Sequence, residues 1–123
     1  MRYYDTIAEF EREGYDIIVD KSWEDLSPRD LFDDCVTDID QLCKDIDSGR
    51  LDWFFLRVRV LVEGLELSAT HVGGCLYENP KDVLTDGLAE DLISEALAEA
   101  KTQVYRLSKK FTELSYAVDA ELV

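Results

Sequence analysis

Apolar residues recur along this chain at two spacings, and each spacing predicts a different kind of element. Tyr3, Ile7 and Phe10 fall on one helical face, and Gly14 is a good terminator, so Tyr3–Glu13 reads as a short N-terminal helix. The β-branched run Ile17–Val19 suits a short strand. In SWEDL, Ser22 can cap a single helical turn, with Asp25 reaching back. A second helix is predicted from Ser27 to Asp47. Ser27 is placed to cap it and Pro28 to occupy its first position, and Leu31, Phe32, Cys35, Ile39, Leu42, Cys43 and Ile46 form its stripe. Ser48-Gly49 ends it. Strict alternation then marks a strand over Trp53–Val62, a Glu63-Gly64 turn, and a return strand over Leu65–Val72. Gly73-Gly74 is positioned to bend or bulge the chain before Cys75. A single helical turn can follow Pro80. A long helix runs from Gly87 to about Ala117, its stripe made of Leu88, Leu92, Ala96, Ala100, Val104, Leu107, Phe111 and Leu114.

Placing Val62 opposite Leu65 sets the expected faces of the hairpin. Leu56, Val58, Val60 and Val62 share the core side with Leu65, Leu67 and Ala69, and Arg57 and Arg59 share the wet side with Glu66, Ser68 and Thr70. A two-stranded hairpin is marginal in water, so helices, a third strand or another chain must support it. The expected fold class is α+β. An antiparallel hairpin, with Ile17–Val19 as a candidate third strand, packs against two main helices and a short N-terminal helix within one domain spanning residues 1–123.

Charge narrows the function. The chain carries 28 acidic and 13 basic residues, a formal net charge of −15. Such a surface repels nucleic-acid backbones and anionic membranes, so a basic protein surface is the expected partner, with no direct nucleic acid and no membrane. No apolar run is long enough to span a bilayer, and the acidic, amphipathic start is unlike a signal peptide. Three cysteines make a poor disulfide framework, so a cytoplasmic protein, monomeric or homodimeric, is expected.

Motifs for catalysis or cofactors are missing, and the expectation is a non-enzymatic protein without cofactor or metal. DIDSGRLD, Asp45–Asp52, opens like a calcium loop, but the positions needing Gly and a bidentate acid hold Arg50 and Leu56. His71 and Cys75 are about 13 Å apart on an extended strand, and His71 is in phase with Leu67 and Ala69, as a buried or half-buried structural histidine would be. Arg57 and Arg59 read as cross-strand neutralisers, Arg59 near Glu66. Two surfaces remain. Trp53, Phe55 and Val72 form an outward face that is either covered by the chain itself or open as an interface. The predicted Ser27–Asp47 helix carries Asp30, Asp33, Asp34, Asp38, Asp40, Asp45 and Asp47 against only Arg29 and Lys44, with Glu24 and Asp25 just upstream. Like charges three and four residues apart destabilise a helix, and a merely solvated face would mix in lysine, as the long helix does. A stiff row of carboxylates is the kind of object that occupies a groove built for DNA, which presents about one negative charge per 1.7 Å.

The block LDWFFLRVRVLVEGLELSATHVGGCLYE followed by DGLAEDLISEALAEAK, within Leu51–Lys101, resembles a group of short acidic proteins of bacteriophages and other mobile elements. The resemblance implies anti-defence activity, blocking restriction or CRISPR complexes. It carries over no functional residue, and the acidic N-terminal region lies outside it. The alternative is a small adaptor or homodimer that uses the aromatic face, with acidity serving only solubility.

Overall fold

The computed structural model describes residues 3–31 and 38–122. The fold is α+β. Four strands, β1 (Asp5–Arg12), β2 (Tyr15–Trp23), β3 (Asp52–Val62) and β4 (Leu65–Tyr77), form an antiparallel sheet in the order β1-β2-β3-β4. Two helices, α1 (Pro28–Leu31) and α2 (Ile39–Asp47), lie in the connection between β2 and β3; a 3-10 turn (Pro80–Leu84) and the 35-residue α3 (Leu88–Leu122) follow β4.

The N-terminal segment is a strand and not the expected helix. Its partner is β2, which extends well beyond Ile17–Val19 and pairs on its other edge with β3. Glu13 and Gly14 both take positive φ, 55° and 86°, as do Glu63 and Gly64 at 50° and 79°. Both hairpins are thus closed by two-residue Glu-Gly turns whose twist matches the flanking strands. What reads as a helix stop at Gly14 is the second residue of a hairpin turn. Ser22 likewise caps nothing; it is buried in β2.

The β3–β4 hairpin begins as expected, with Val62 opposite Leu65, and then slips. Leu61 faces Glu66 but Val60 faces Ser68, so Leu67 is an extra residue. A one-residue bulge moves every later side chain to the other face. Ser68 and Thr70 therefore lie on the core side with Val60 and Val58, and Ala69 and His71 lie outside with Arg59 and Arg57. His71 is exposed rather than buried. A second slip between Phe54–Leu56 and Val72–Cys75 falls at Gly73-Gly74, as the sequence suggested.

Core-side rows run across the sheet, such as Phe10–Ile17–Val60 and Ala8–Val19–Val58. They pack under α3 with Phe54, Leu56, Cys75 and Val83. The α-helical residues of this cluster all come from α3, from Ala89 to Ala100, and Val83 joins them from the 3-10 turn. The small side chains at Ala89, Ala96 and Ala100 let helix and sheet approach closely. The buried hydroxyls use that proximity: Ser68 Oγ donates to Ala96 O at 2.6 Å and Thr70 Oγ1 to Leu92 O at 3.0 Å. Beyond Ala100 the apolar stripe leaves the sheet, and Val104, Phe111 and Leu114 are exposed.

Candidate functional site

The predicted Ser27–Asp47 helix is not one element. Asp38 has extended backbone angles (φ −78°, ψ 93°) and caps α2, its Oδ1 accepting from Gln41 N at 3.1 Å. Capping needs a residue outside helical geometry, so the chain breaks here. Asp33 and Asp34 lie outside the described residues.

The other carboxylates divide by what they touch. Asp45 is buried, receiving Gln41 Nε2 at 3.0 Å and Arg50 Nη2 at 3.3 Å. Asp40 is exposed and paired with Arg29, whose hydrogen bond holds the carboxyl below its usual range. Asp30 accepts from Ser27 N at 3.0 Å, closing the first turn of α1. Asp25 accepts from the Trp23 indole at 2.7 Å. Glu24 is half-buried. One of its oxygens takes Leu26 N at 3.2 Å and the other Gly74 N at 2.7 Å, tying the 24–27 loop to the second bulge of β4. A Cβ on Gly73 would stand 2.5 Å from that second oxygen, so a larger residue there would push the Glu24 carboxylate aside. Asp47 is exposed at the end of α2. Asp40 and Asp45 are therefore neutralised by arginines, whereas Glu24, Asp30 and Asp38 bond to backbone N–H groups. A carboxylate has about four acceptor sites, so one such bond fixes its position and leaves its charge in place.

The aromatic face is only partly as expected. Trp53 and Phe55 do point away from the core, but Trp53 Nε1 donates to Leu26 O at 2.8 Å, and Phe55 packs on His71 with ring centroids 5.4 Å apart. The chain's own 24–27 loop thus engages this surface. Val72 is not part of it: it pairs with Leu56 and packs against the core, because the bulge at Leu67 sets the parity of β4.

The outer face of the sheet also carries a row of carboxylates that the sequence pattern does not reveal. Glu11 pairs with Asp16, Asp16 with Leu61, and Leu61 with Glu66. Directly opposed like charges are unfavourable in a sheet. Helical spacing around Tyr3, Ile7 and Phe10 conceals the row by putting Glu11 on a helix; the Glu13-Gly14 turn is the signal that places it. Two outward-facing rows further along β2, Asp20 lies opposite Arg57 and within reach of Arg59. Arg57 Nε and Nη2 reach its two oxygens at 2.8 and 2.6 Å, and Arg59 Nη2 stands 3.5 Å away. The Tyr4 ring covers Arg57 at 3.4 Å. The two arginines are cross-strand neutralisers, as expected, but their main partner is Asp20; Glu66 is 3.9 Å from Arg59.

His71 faces outward opposite Arg57, while Cys75 sits opposite Phe54 on the core side, so the bulged strand separates the imidazole and the thiol by the thickness of the sheet. Burial pushes the Cys75 thiol up to about 11. The thiolate is the reactive form, so iodoacetamide near neutral pH is expected to leave Cys75 unmodified in the folded protein and to reach it only after unfolding. Peptide mass mapping of labelled cysteines checks this. Among the described residues, no three His, Cys, Asp or Glu side chains converge as a metal site, and no helix is long and apolar enough to cross a membrane. No known protein family, curated protein or solved structure matches the chain.

Proposed function

We propose that this protein is a non-enzymatic inhibitor that binds a basic, nucleic-acid-handling surface of a bacterial defence complex, of the CRISPR or restriction kind, in the cytoplasm. The observation that carries this reading is the 24–47 segment, with nine acidic residues against Arg29 and Lys44, in which Glu24, Asp30 and Asp38 are pinned by backbone N–H groups without losing charge. Anions already held in place cost less ordering on binding than flexible ones. We read this segment as an acidic cap held by a loop and two helices, rather than the single stiff row read from sequence. The choice of a defence complex follows the resemblance read from the sequence of Leu51–Lys101.

The test is Asp38→Asn, Asp40→Asn and Asp47→Asn together. Asparagine also caps helices, so α2 is expected to keep its start. Capture of partners from bacterial lysate at two salt concentrations should fall about tenfold or more in the triple variant. Wild-type capture should weaken steeply as salt rises, because exposed charges are screened over about 8 Å at physiological ionic strength. Capture that is unchanged by the three substitutions removes this surface as the site.

A further inference from the structure

We infer that a pocket at the open end of the sheet, away from the two Glu-Gly turns, receives the guanidinium of an arginine from a basic protein. Three strand ends meet there: the start of β1, with Tyr3 just before it, the end of β2 and the start of β3. Asp5 pairs with Lys21, Lys21 with Leu56 and Trp23 with Phe54, so these positions share the core side of the sheet. None of the residues around the pocket comes from α3; the sheet runs past the helix and leaves a recess of about 240 Å³.

The lining is aromatic and acidic. Phe54 is buried as the floor, and Tyr3 and Trp23 stand at the mouth, 70% and 50% exposed. Trp23 Nε1 donates to Asp25 at 2.7 Å, which holds the indole in place. The chain already uses the required chemistry at the inner end. Lys21 Nζ is paired with Asp52 and stands 5.6 Å from the Phe54 ring centroid, an ammonium between a carboxylate and an aromatic ring. Tyr3, Trp23 and Asp5 supply the same kinds of group at the mouth. Asp5 lies opposite Lys21, but Lys21 is taken by Asp52, and Asp5 makes no ion pair among the described residues.

Charge and shape select the ligand. An anion would meet two carboxylates against one ammonium, on a chain of net charge −15. A neutral group would leave Asp5 without a counter-ion. A guanidinium is flat, stacks on aromatic faces, pairs with a carboxylate at its edge and is more weakly hydrated than an ammonium. The pocket also lies at the foot of the acidic segment, because the chain leaves the sheet at Trp23 and rejoins it at Asp52. A basic partner on that segment has the pocket beside it. The source of the arginine rests on the proposed function; the pocket itself does not.

The test is titration of the full chain with N-acetyl-arginine amide at constant ionic strength, followed by tryptophan fluorescence. Both tryptophans of the chain, Trp23 and Trp53, line the pocket and report on it. A saturable change is expected, with N-acetyl-citrulline amide, the same shape without the charge, about tenfold weaker or more. Asp5→Asn should weaken the arginine probe about fivefold with an unchanged circular dichroism melt, since Asp5 is exposed. Glu95→Gln, the same loss of charge at an exposed position of α3, should leave binding unchanged. The triple asparagine variant at Asp38, Asp40 and Asp47 should bind the probe as wild type does, so the acidic cap can fail as a partner site while the pocket stands. No saturable change, equal binding of the citrulline probe, equal effects of Asp5→Asn and Glu95→Gln, or loss of probe binding in the triple variant overturns the inference.

Discussion

Replacing Asp20 by alanine is expected to destabilise the fold by about 3–5 kcal/mol, the usual range when one partner of a buried ion pair is removed. Asp20 is 2% exposed, and both of its oxygens are engaged by Arg57. The hydrogen bond to Asp20 raises the Arg57 pKa, and an arginine stays charged after its partner is gone. The variant then holds two partly buried guanidinium groups on neighbouring outward positions of β3, with Glu66, 3.9 Å from Arg59, as a weak remaining partner. Urea unfolding should show a lower midpoint with the slope unchanged, since the surface exposed on unfolding is much the same. The pair is not itself a strong source of stability, because burying it costs desolvation. Asp20→Leu combined with Arg57→Met should therefore recover most of the loss. If Asp20→Ala alone shifts the midpoint by less than the equivalent of about 1 kcal/mol, the carboxylate is in effect solvated and not held between the two arginines.

The same cluster shows where sequence reasoning stops. Alternation in WFFLRVRVLV marks β3 and its two faces without ambiguity, and Glu63-Gly64 marks the turn. The pairing of Asp20 with Arg57 is tertiary, joining residues 37 positions apart across strands whose register nothing local announces. The N-terminal strand escapes the pattern for a different reason. Tyr3, Ile7 and Phe10 satisfy a helical spacing, and a bulge between Thr6 and Ala8 lets the strand carry a pattern that does not alternate. Its turn repeats the Glu-Gly pair of the second hairpin, and the pair alone is enough to place it. The bulge at Leu67 leaves no such mark. An apolar residue followed by Ser-Ala-Thr alternates equally well with either parity, and only the hydroxyls' access to the carbonyls of Leu92 and Ala96 decides which side is inside. The acidic segment follows the same logic. The count of aspartates is plain, but Asp38 both fits a continuing helix and makes a good cap, and the two roles differ only in backbone angles.

Phe54→Ala is the second large effect, expected to cost about 3–5 kcal/mol, whereas Phe55→Ala next to it should cost distinctly less. The two rings have the same size and sit on the same strand, so the difference isolates the environment. Phe54 is 1% exposed and lies within the cluster formed by the sheet and α3; its ring sits 5.7 Å from that of Tyr77, and Lys21 Nζ is 5.6 Å from its centroid. Truncation there removes buried apolar surface and leaves a cavity that close-packed neighbours fill only in part. Phe55 is half-buried on the outer face against His71, where water can enter the space its ring vacates. Thermal unfolding followed by circular dichroism should rank the variants wild type, Phe55→Ala, Phe54→Ala in falling midpoint. The reverse order would mean that the sheet turns its other face to α3, and with it would fall the assignment of Ser68 and Thr70 to the core and of His71 to the surface. The ranking also separates fold from binding: Phe54→Ala should lower stability without altering the acidic cap, and the asparagine variants should alter the cap while leaving the midpoint nearly unchanged.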